Sequence, residues 1–480
     1  SDDVFDAALE RVGVLRVNSI SELFSMASVL ARQPRPRGPK LTIVTNAGGP
    51  AVLATDAAVL NQAELTQVPE KIVEELNQFL PAAWSHSNPV DILGDATAES
   101  YAKTLDVLSR DEETDGLLVI LSPQDMTDPT KTAEALIPYA NMPGKPLLAS
   151  WMGGDTVSEG TRLLNEANIP VFEYPDDAAK TFGMMWKYSQ NIQSLYEIAD
   201  IGQVEGFEQE ETQANQVQRL LSSVQEKGRS LLTEAESKQL LRCYGIPVVE
   251  THTAKTVEEA VEIAKKMKFP LVLKLNSETI THKTEVGGVK LNLRNIDDVL
   301  AAFEEIKESV TRLAGAEHFG GVTVQRMIPA GGYEVILGSS TDPQFGPVLL
   351  FGSGGQLVEV YKDSALAIPP LNASLARRFM EKTKIYEALK GVRGRKSANL
   401  AALDELLVNF SRLVVENRRI KECDINPLLV FGDEMIAVDA RVVLHEADVL
   451  DSELPKLAIR PYPLNYAQTT SLKDGQKITL

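Results

Sequence analysis

Between residues 40 and 172 the chain repeats one pattern, a run of four or five mostly apolar residues followed by a stretch with helical periodicity. The runs are Leu41-Thr-Ile-Val-Thr45, Leu117-Leu-Val-Ile-Leu121, Pro146-Leu-Leu-Ala-Ser150 and Ile169-Pro-Val-Phe172. Runs of this kind suit strands covered on both faces, and parallel neighbours need a helix-sized crossover between them. The pattern predicts a doubly wound parallel sheet over residues 1–200. Ser19-x-x-Glu22, just ahead of Leu23-Phe24, predicts a capping box opening one of the helices.

Residues 201–225 change character. Glu-Gln-Glu-Glu-Thr-Gln-Ala-Asn-Gln (208–216) offers little to a core and is expected to be a linker. From 226 to 448 the texture is α+β. Two further capping boxes, Thr233-x-x-Glu236 and Thr256-x-x-Glu259, open amphipathic helices. Strands are expected at 271–275, 322–327, 333–338, 347–351, 357–361 and 435–440, with a long helical region over 373–417. Residues 449–480, with Pro455, Pro461 and Pro463, are expected to form a tail or linker leading out of a cut chain.

With 480 residues, 44 % of them hydrophobic, the chain has material for several buried cores. The formal net charge of -19 argues against a broad nucleic-acid or anionic-membrane footprint, so an anionic ligand must find local positive sites. No apolar run reaches the ~18–20 residues of a membrane span, and Ser1-Asp-Asp-Val lacks a signal-peptide core. A cytoplasmic protein without nucleic-acid or membrane partners is expected. Cys243 and Cys423 stand far apart and are expected to be reduced core thiols.

Three clusters bear groups suited to phosphate chemistry. In Leu41-Thr-Ile-Val-Thr-Asn-Ala-Gly-Gly-Pro50 a strand runs into paired glycines and a helix start. Backbone N–H groups there make an anion seat, and Gly48 and Gly49 let a phosphate approach closely; alternatively the glycines only make a tight turn. Asn88-Pro-Val-Asp-Ile-Leu-Gly-Asp-Ala96 supports the same pocket or caps a helix through Asp95, and His86 beside it is a further candidate for that pocket. In Lys268–Lys290 a strand delivers Lys274 into a loop carrying His282, Lys283, Gly287 and Gly288. A lysine at a buried strand end can neutralise nucleotide phosphates, and neutral imidazole is a nucleophile near pH 7.

The third cluster is Glu422-Cys-Asp-Ile-Asn-Pro-Leu428, followed by Val438-Asp-Ala-Arg441. Alternation places Asp424 and Asn426 on one face of a strand, with Asp439 on its hairpin partner. Such hard oxygen ligands suit Mg2+, which completes its shell with water and substrate phosphates; solvated acids on a capped hairpin are the structural alternative. Phe351-Gly-Ser-Gly-Gly355 is either another close phosphate approach or a flexible turn.

Taken in order, the strand lysine, His-Lys-x-x-Val-Gly-Gly-Val, Gln325-x-Met327, Gly-Gly-Tyr-Glu334, Asp342-Pro-Gln-Phe-Gly-Pro-Val, Phe-Gly-Ser-Gly-Gly, Asp-Ile-Asn-Pro-Leu and Val-Asp-Ala-Arg resemble the ATP-grasp domain of nucleoside-diphosphate-forming acyl-CoA synthetases. The Asn-Ala-Gly-Gly-Pro and Asn-Pro-Val-Asp-Ile-Leu-Gly-Asp-Ala segments resemble the ligase-CoA domain of its fused forms. The resemblance, over residues 1–445, implies a flavodoxin-like doubly wound parallel-sheet domain followed by an α+β ATP-grasp domain, α/β overall. It implies the reaction acyl-CoA + ADP + phosphate ⇌ acid + CoA + ATP, with phosphate carried on histidine. Lys274 would neutralise nucleotide phosphates, and the backbone of Gln325, Arg326 and Met327 would form the adenine hinge. Glu334, Gly354 and Gly355 would complete the ATP/ADP site, and Asp424, Asn426 and Asp439 would hold Mg2+. His282 would be the second phosphohistidine, while Gly48 and Gly49 would steady the first. A homo-oligomer is expected.

Three departures accompany the likeness. The Ser-His-Thr-Gly loop of the first phosphohistidine, expected just before Ser1-Asp-Asp-Val, is absent from this sequence, as are the CoA-binding Rossmann-like domain and the flavodoxin-like domain that supplies the acidic partner of that histidine. CoA and acyl-CoA would therefore be bound through missing domains, and a fragment that binds nucleotide without completing CoA ligation is expected. Ala367 stands where an arginine is expected after Tyr361-Lys-Asp363. Ala365–Asn372 and Leu389–Arg395 are similar to the ligase-like halves of bacterial GNAT protein lysine acetyltransferases, which implies a regulatory acyl-CoA or nucleotide sensor as the alternative to a ligase. A carboxylate–amine ligase, the third reading, has no use for the Asn-Ala-Gly-Gly-Pro segment.

Overall fold

The computed structural model describes residues 1–196, 207–280, 282–329, 331–355, 362–392, 394–459, 469–471 and 477–479. The chain forms two compact units, Leu9–Tyr196 and Glu197–Leu480, the second including Ser1–Ala8.

In the Leu9–Tyr196 unit six parallel strands form one sheet: β1 (Lys40–Thr45), β2 (Glu64–Leu65), β3 (Val90–Asp91), β4 (Gly116–Leu121), β5 (Leu147–Trp151) and β6 (Val171–Phe172). β2 pairs with the start of β1 and β3 with its end, so these two short strands share one edge position. β1 then pairs with β4, β4 with β5 and β5 with β6, which is the flavodoxin-like order. The apolar runs are buried on both sides because successive side chains enter opposite cores. Val44, Leu117, Val119, Leu121, Leu147 and Ala149 pack on one face, whereas Leu41, Ile43, Leu118, Ile120 and Leu148 pack on the other.

Asn88 ties the short strands in place. Its Nδ2 donates to the Leu41 and Thr66 carbonyls at 2.8 and 3.0 Å, and its Oδ1 accepts from Ile43 N at 3.0 Å. The helix Ala98–Ser109, which Asp95 is one candidate to cap, is capped instead by Thr97, which accepts from Ser100 N. Thr97 is the residue with extended backbone immediately before the first helical turn.

The second unit carries two antiparallel sheets. The smaller contains β7 (Thr251–Ala254), β8 (Leu271–Leu275), β9 (Val289–Leu293) and β10 (Val322–Arg326), in the order β7-β10-β8-β9. Helices Val257–Lys266 and Ile296–Leu313 cover one face of it with Ala260, Ala264, Val299, Phe303, Ile306 and Val310. The larger contains β11 (Tyr333–Asp342), β12 (Gly346–Ser353), β13 (Ser364–Ala367), β14 (Ile420–Phe431), β15 (Glu434–Ala437) and β16 (Ala440–Leu444). Its core includes Leu337, Phe351, Ile425, Leu428 and Val442, packed with Phe379, Leu407 and Phe410 from helices Ala373–Glu381 and Leu400–Glu416.

The structure refines several expectations. The candidate at 435–440 is two strands, β15 and β16, both paired with β14 and separated at Val438-Asp439. The helical region over 373–417 is three helices, broken at Thr383 and again by Gly391 and Gly394, both at positive φ, before Asn399 caps the last. Residues 207–226, overlapping the expected linker, form a helix whose Val217, Leu221 and Val224 enter the core; the polar 208–216 segment hides that apolar stripe on the following turns. At the other end Val4 and Ala7 pack with Val348 and Ile368. In the tail, Arg418 donates to the carbonyls of Asp451, Leu454 and Pro455. The strand candidate at 357–361 lies outside the described residues.

Candidate active site

Thr233 and Glu236 open the helix Glu234–Cys243 with a reciprocal capping box: Glu236 N donates to Thr233 Oγ1 at 3.3 Å, and Thr233 N donates to Glu236 Oε2 at 2.8 Å. The first helical residue, Glu234, is thereby held in a fixed orientation with its carboxylate buried. Three lysines converge on it. Lys238, one turn on, reaches Oε1 at 2.8 Å; Lys274, near the end of β8, reaches Oε1 at 3.0 Å; Lys283, from the glycine loop, pairs with Oε2.

Two of these lysines reach further. Lys274 Nζ lies 3.1 Å from Asp439 Oδ2 and donates to the Val438 carbonyl at 3.2 Å. Lys238 Nζ donates to Gln325 Oε1 on β10 at 2.7 Å and to Thr251 Oγ1 at 3.0 Å. Three ammonium groups thus face two carboxylates, and Asp439, 40 % exposed, is the wet end of an otherwise buried array.

Electrostatics follow from burial and from these partners. Burial by itself pushes the Glu234 carboxyl upward, but Lys274, Lys283 and Lys238 more than offset it and hold the group below the usual carboxylate range. Burial pulls the Lys238 ammonium down to about 8, with Glu234 opposing that fall and Lys274 adding to it. Lys274 feels burial too, yet Glu234 and Asp439 together raise it above the ordinary lysine value, so it stays charged.

The strand carboxylates are placed by β14. Asp424 faces Gly338 on β11 and Arg441 on β16, and Arg441 Nη1 reaches Asp424 Oδ2 at 3.3 Å and Glu422 Oε2 at 3.2 Å. Burial raises the Asp424 carboxyl, Arg441 opposing it and Glu422 adding to it. Asn426 Oδ1 accepts from Gly355 N at 2.8 Å, and Gly354 N donates to the Glu334 carbonyl at 2.8 Å. Gly355 has φ +88°, and a Cβ there would collide with the Glu334 carboxylate, so the turn after β12 needs glycine. Asp439 falls in the break between β15 and β16, beside Pro427, whose carbonyl accepts from Val438 N at 3.1 Å.

The structure therefore brings together Lys274, Asp439 and Gln325 through Glu234 and Lys238, and it brings Asn426, Gly354, Gly355 and Glu334 together through the β11–β12–β14 sheet. Asp424 is engaged by Arg441 instead. Of the hinge residues, Gln325 is buried, Arg326 is exposed, and Met327 N donates to the Pro270 carbonyl at 3.0 Å. His282 is exposed, with its carbonyl accepting from Glu285 N at 3.2 Å; its neighbour Lys283, not the imidazole, is the loop's link to Glu234. Among the described residues no group of three or more His, Cys, Asp or Glu side chains is arranged to hold a metal ion. Two carboxylates and an amide oxygen are nevertheless the hard donors that Mg2+ takes when phosphate and water supply the remainder.

Gly48 and Gly49 belong to the other unit, where they open the helix Gly48–Leu60 at the carboxyl end of β1. That is the switch point of the sheet, where ligands of such folds bind. No side chain caps this helix, and Asp91 Oδ2 lies 3.3 Å from where a Gly48 Cβ would stand. His86 stacks on Trp84, with ring centroids 4.5 Å apart.

Sequence reasoning missed Glu234 and Lys238. The one available signal was the capping box, which marks the position after Thr233 as the first helical residue but is silent on what it faces. Asp363, part of the motif preceding Ala367, serves as a helix cap, accepting from Lys384 N at 2.7 Å and Ile385 N at 2.8 Å. Ala367 itself ends the edge strand β13 and packs against the core.

A Ligase-CoA domain model matches residues 41–195 and an ATP-grasp domain model matches residues 223–444. Acetate–CoA ligase (ADP-forming) I of Archaeoglobus fulgidus is 38% identical over 448 residues, 93% of this chain and 62% of its own. The chain thus spans less than two thirds of that relative's length. The beta subunit of acetate–CoA ligase (ADP-forming) I of Pyrococcus furiosus is 40% identical over 213 residues, 44% of this chain and 91% of its own. A solved structure of acetyl-coenzyme A synthetase 1 from Ca. Korarchaeum cryptofilum shares 39% identity with a TM-score of 0.46, covering 48% of this chain and 99% of its own. On its two domain matches and its identity to the beta subunit, the chain belongs to the family of ADP-forming acyl-CoA (acetate–CoA) ligases.

Proposed function

We propose that this chain is the nucleotide-handling part of an ADP-forming acyl-CoA ligase, which binds ATP or ADP and passes the phosphoryl group through His282. The observation that carries the reading is the buried surplus of positive charge: Lys274, Lys238 and Lys283 converge beside Asp439, at the root of the loop that bears His282. A desolvated array with more ammonium than carboxylate is suited to a polyanion such as a nucleotide phosphate tail.

In the ATP-consuming direction a ring nitrogen of neutral His282 attacks the γ-phosphorus. A P–N bond forms as the bond from that phosphorus to the β,γ-bridging oxygen breaks, and ADP leaves with the electron pair while the ring keeps its other N–H proton. Lys274 offsets the charge that gathers on the phosphate oxygens, and the backbone from Gln325 to Met327 orients the adenine. Asp439, Asn426 and Asp424 would hold Mg2+, which when bound neutralises phosphate charge. Glu334, Gly354 and Gly355 line the same site. Phosphate is a partner of the reaction, acyl-CoA and CoA enter it through parts of the family's enzyme outside this sequence, and the assembly is oligomeric.

The test is incubation with γ-labelled ATP and Mg2+. The expected result is an acid-labile label on the wild-type protein, lost in His282→Ala while ATP affinity changes by less than about two-fold. A label that survives in His282→Ala overturns the carrier role. Ala367, at the position where the likeness calls for arginine, favours a second reading, a nucleotide or acyl-CoA sensor joined to a GNAT acetyltransferase. ATP binding without any label on the wild-type protein selects that reading.

A further inference from the structure

We propose that Glu234 is the positioning residue of the site and that its ion pair with Lys283 is the latch that holds the His282 loop against strand β8. The inference rests on the reading above for what the loop carries, and on geometry alone for the latch.

The two carboxylate oxygens receive lysines from three elements. Oε1 receives Lys274 from β8 and Lys238 from Glu234's own helix, while Oε2 receives Lys283 from the loop. Glu234 is thus one rigid point shared by the strand lysine and the loop lysine, and through Lys238 it also reaches Gln325 at the hinge. Its own position is set by the capping box of Thr233 and Glu236, and Glu236 is in turn gripped by Arg229 at 2.8 and 3.0 Å. A carboxylate with that support loses little by accepting three charged donors, and a buried acceptor with ionised donors is the strongest kind of local tether.

Among its described residues the loop is also held by Ile280 and Val286, packed against the core of the smaller sheet, by Thr279 Oγ1 at 2.7 Å from His318 Nδ1 and by Glu278 at 3.4 Å from Arg229, and the Lys283 pair is the side-chain tie next to His282. The loop's internal bonds are Glu285 N to the His282 carbonyl, Gly287 N to Thr284 and Gly288 N to Lys283, and Leu275 N donates to the Gly288 carbonyl at its far end. Lys283, adjacent to His282, is the loop side chain that reaches into the buried array. A tether one residue from the imidazole limits where that ring can travel, so the same carboxylate sets both the nucleotide lysine and the histidine.

Hydrogen exchange and labelling of the full chain test this with Glu234→Gln, Lys283→Met and Lys283→Arg. Without nucleotide, the amides of 285, 287 and 288 should exchange at least about ten-fold faster in Lys283→Met and Glu234→Gln, the expected effect of losing a charged hydrogen bond, and within about two-fold of wild type in Lys283→Arg. The label carried per ATP bound should fall in the first two variants and return in the third. Unchanged exchange in Lys283→Met overturns the latch, and that variant decides alone if Glu234→Gln does not fold. Faster exchange in the variants, together with a wild-type protein that takes no label, upholds the latch and removes the carrier role of His282.

Discussion

Lys274 and Asp439 stand 165 residues apart in sequence, on different sheets, and their side chains meet at 3.1 Å. β8 delivers the lysine from the smaller sheet, and the break between β15 and β16 delivers the aspartate from the larger. The contact closes one end of a charged array whose other end is buried under Glu234 and Lys238, so the array opens toward solvent at Asp439.

Asp439→Ala removes the exposed carboxylate of that pair together with one proposed Mg2+ ligand. Titration calorimetry should show ATP affinity in Mg2+ weakened at least about ten-fold, or ~1.4 kcal/mol, with a smaller change when Mg2+ is chelated. Equal affinities for variant and wild type in Mg2+ would take Asp439 out of the site.

The capping box gives a stability prediction with a pH sign. Burial raises the Glu236 carboxyl, but Arg229 and the Thr233 N–H lower it further, so it ends below the usual range. Its stabilisation is complete above the unfolded carboxylate value of ~4.3 and fades as pH falls through that value toward the folded one. Urea unfolding should find Thr233→Ala about 1 kcal/mol less stable at pH 7. Glu236→Gln should flatten the acid limb of the stability curve, and an acid limb as steep as that of wild type would contradict the assignment.

Gly355→Ala places a methyl group against the Glu334 carboxylate at a backbone angle of φ +88°. The expected loss is about 1–3 kcal/mol, accompanied by loss of the Asn426–Gly355 hydrogen bond. Chemical denaturation reads the first and ATP affinity the second, since the displaced turn carries proposed nucleotide contacts.

In the other unit Asn88 makes three backbone hydrogen bonds to join β1, β2 and the segment before β3. Asn88→Ala should cost about 2–3 kcal/mol. Asn88→Asp keeps the acceptor for Ile43 N but cannot donate to Leu41 and Thr66, and should also destabilise the unit. A neutral result for both variants would show that the short strands hold without this side chain.

Much of the fold follows from features local to the sequence. Apolar runs mark β1, β4 and β5 because strand burial is a short-range pattern, and Ser19, Thr233 and Thr256 mark helix starts because a cap involves residues three apart. Lys274 is legible for the same reason, as the charged residue near the end of an apolar strand. The division of β15 from β16 was not legible, because no Gly or Pro interrupts Ile436 to Ala440 and only pairing with β14 on both sides of Val438-Asp439 reveals the break.

What the sequence determined by itself is the kind of fold and the inventory of chemical groups, since periodicity, caps and ordered motifs act over a few residues. Tertiary structure alone decided which of those groups meet. Glu234 reads in sequence as an acidic residue in a helix's first turn, a position that ordinarily faces water and favours the dipole. It becomes a buried counter-charge because its helix packs where lysines 40 and 49 residues further along the chain arrive, and Lys238 finds Gln325 87 residues away. Such meetings depend on how whole elements pack, which no local pattern encodes.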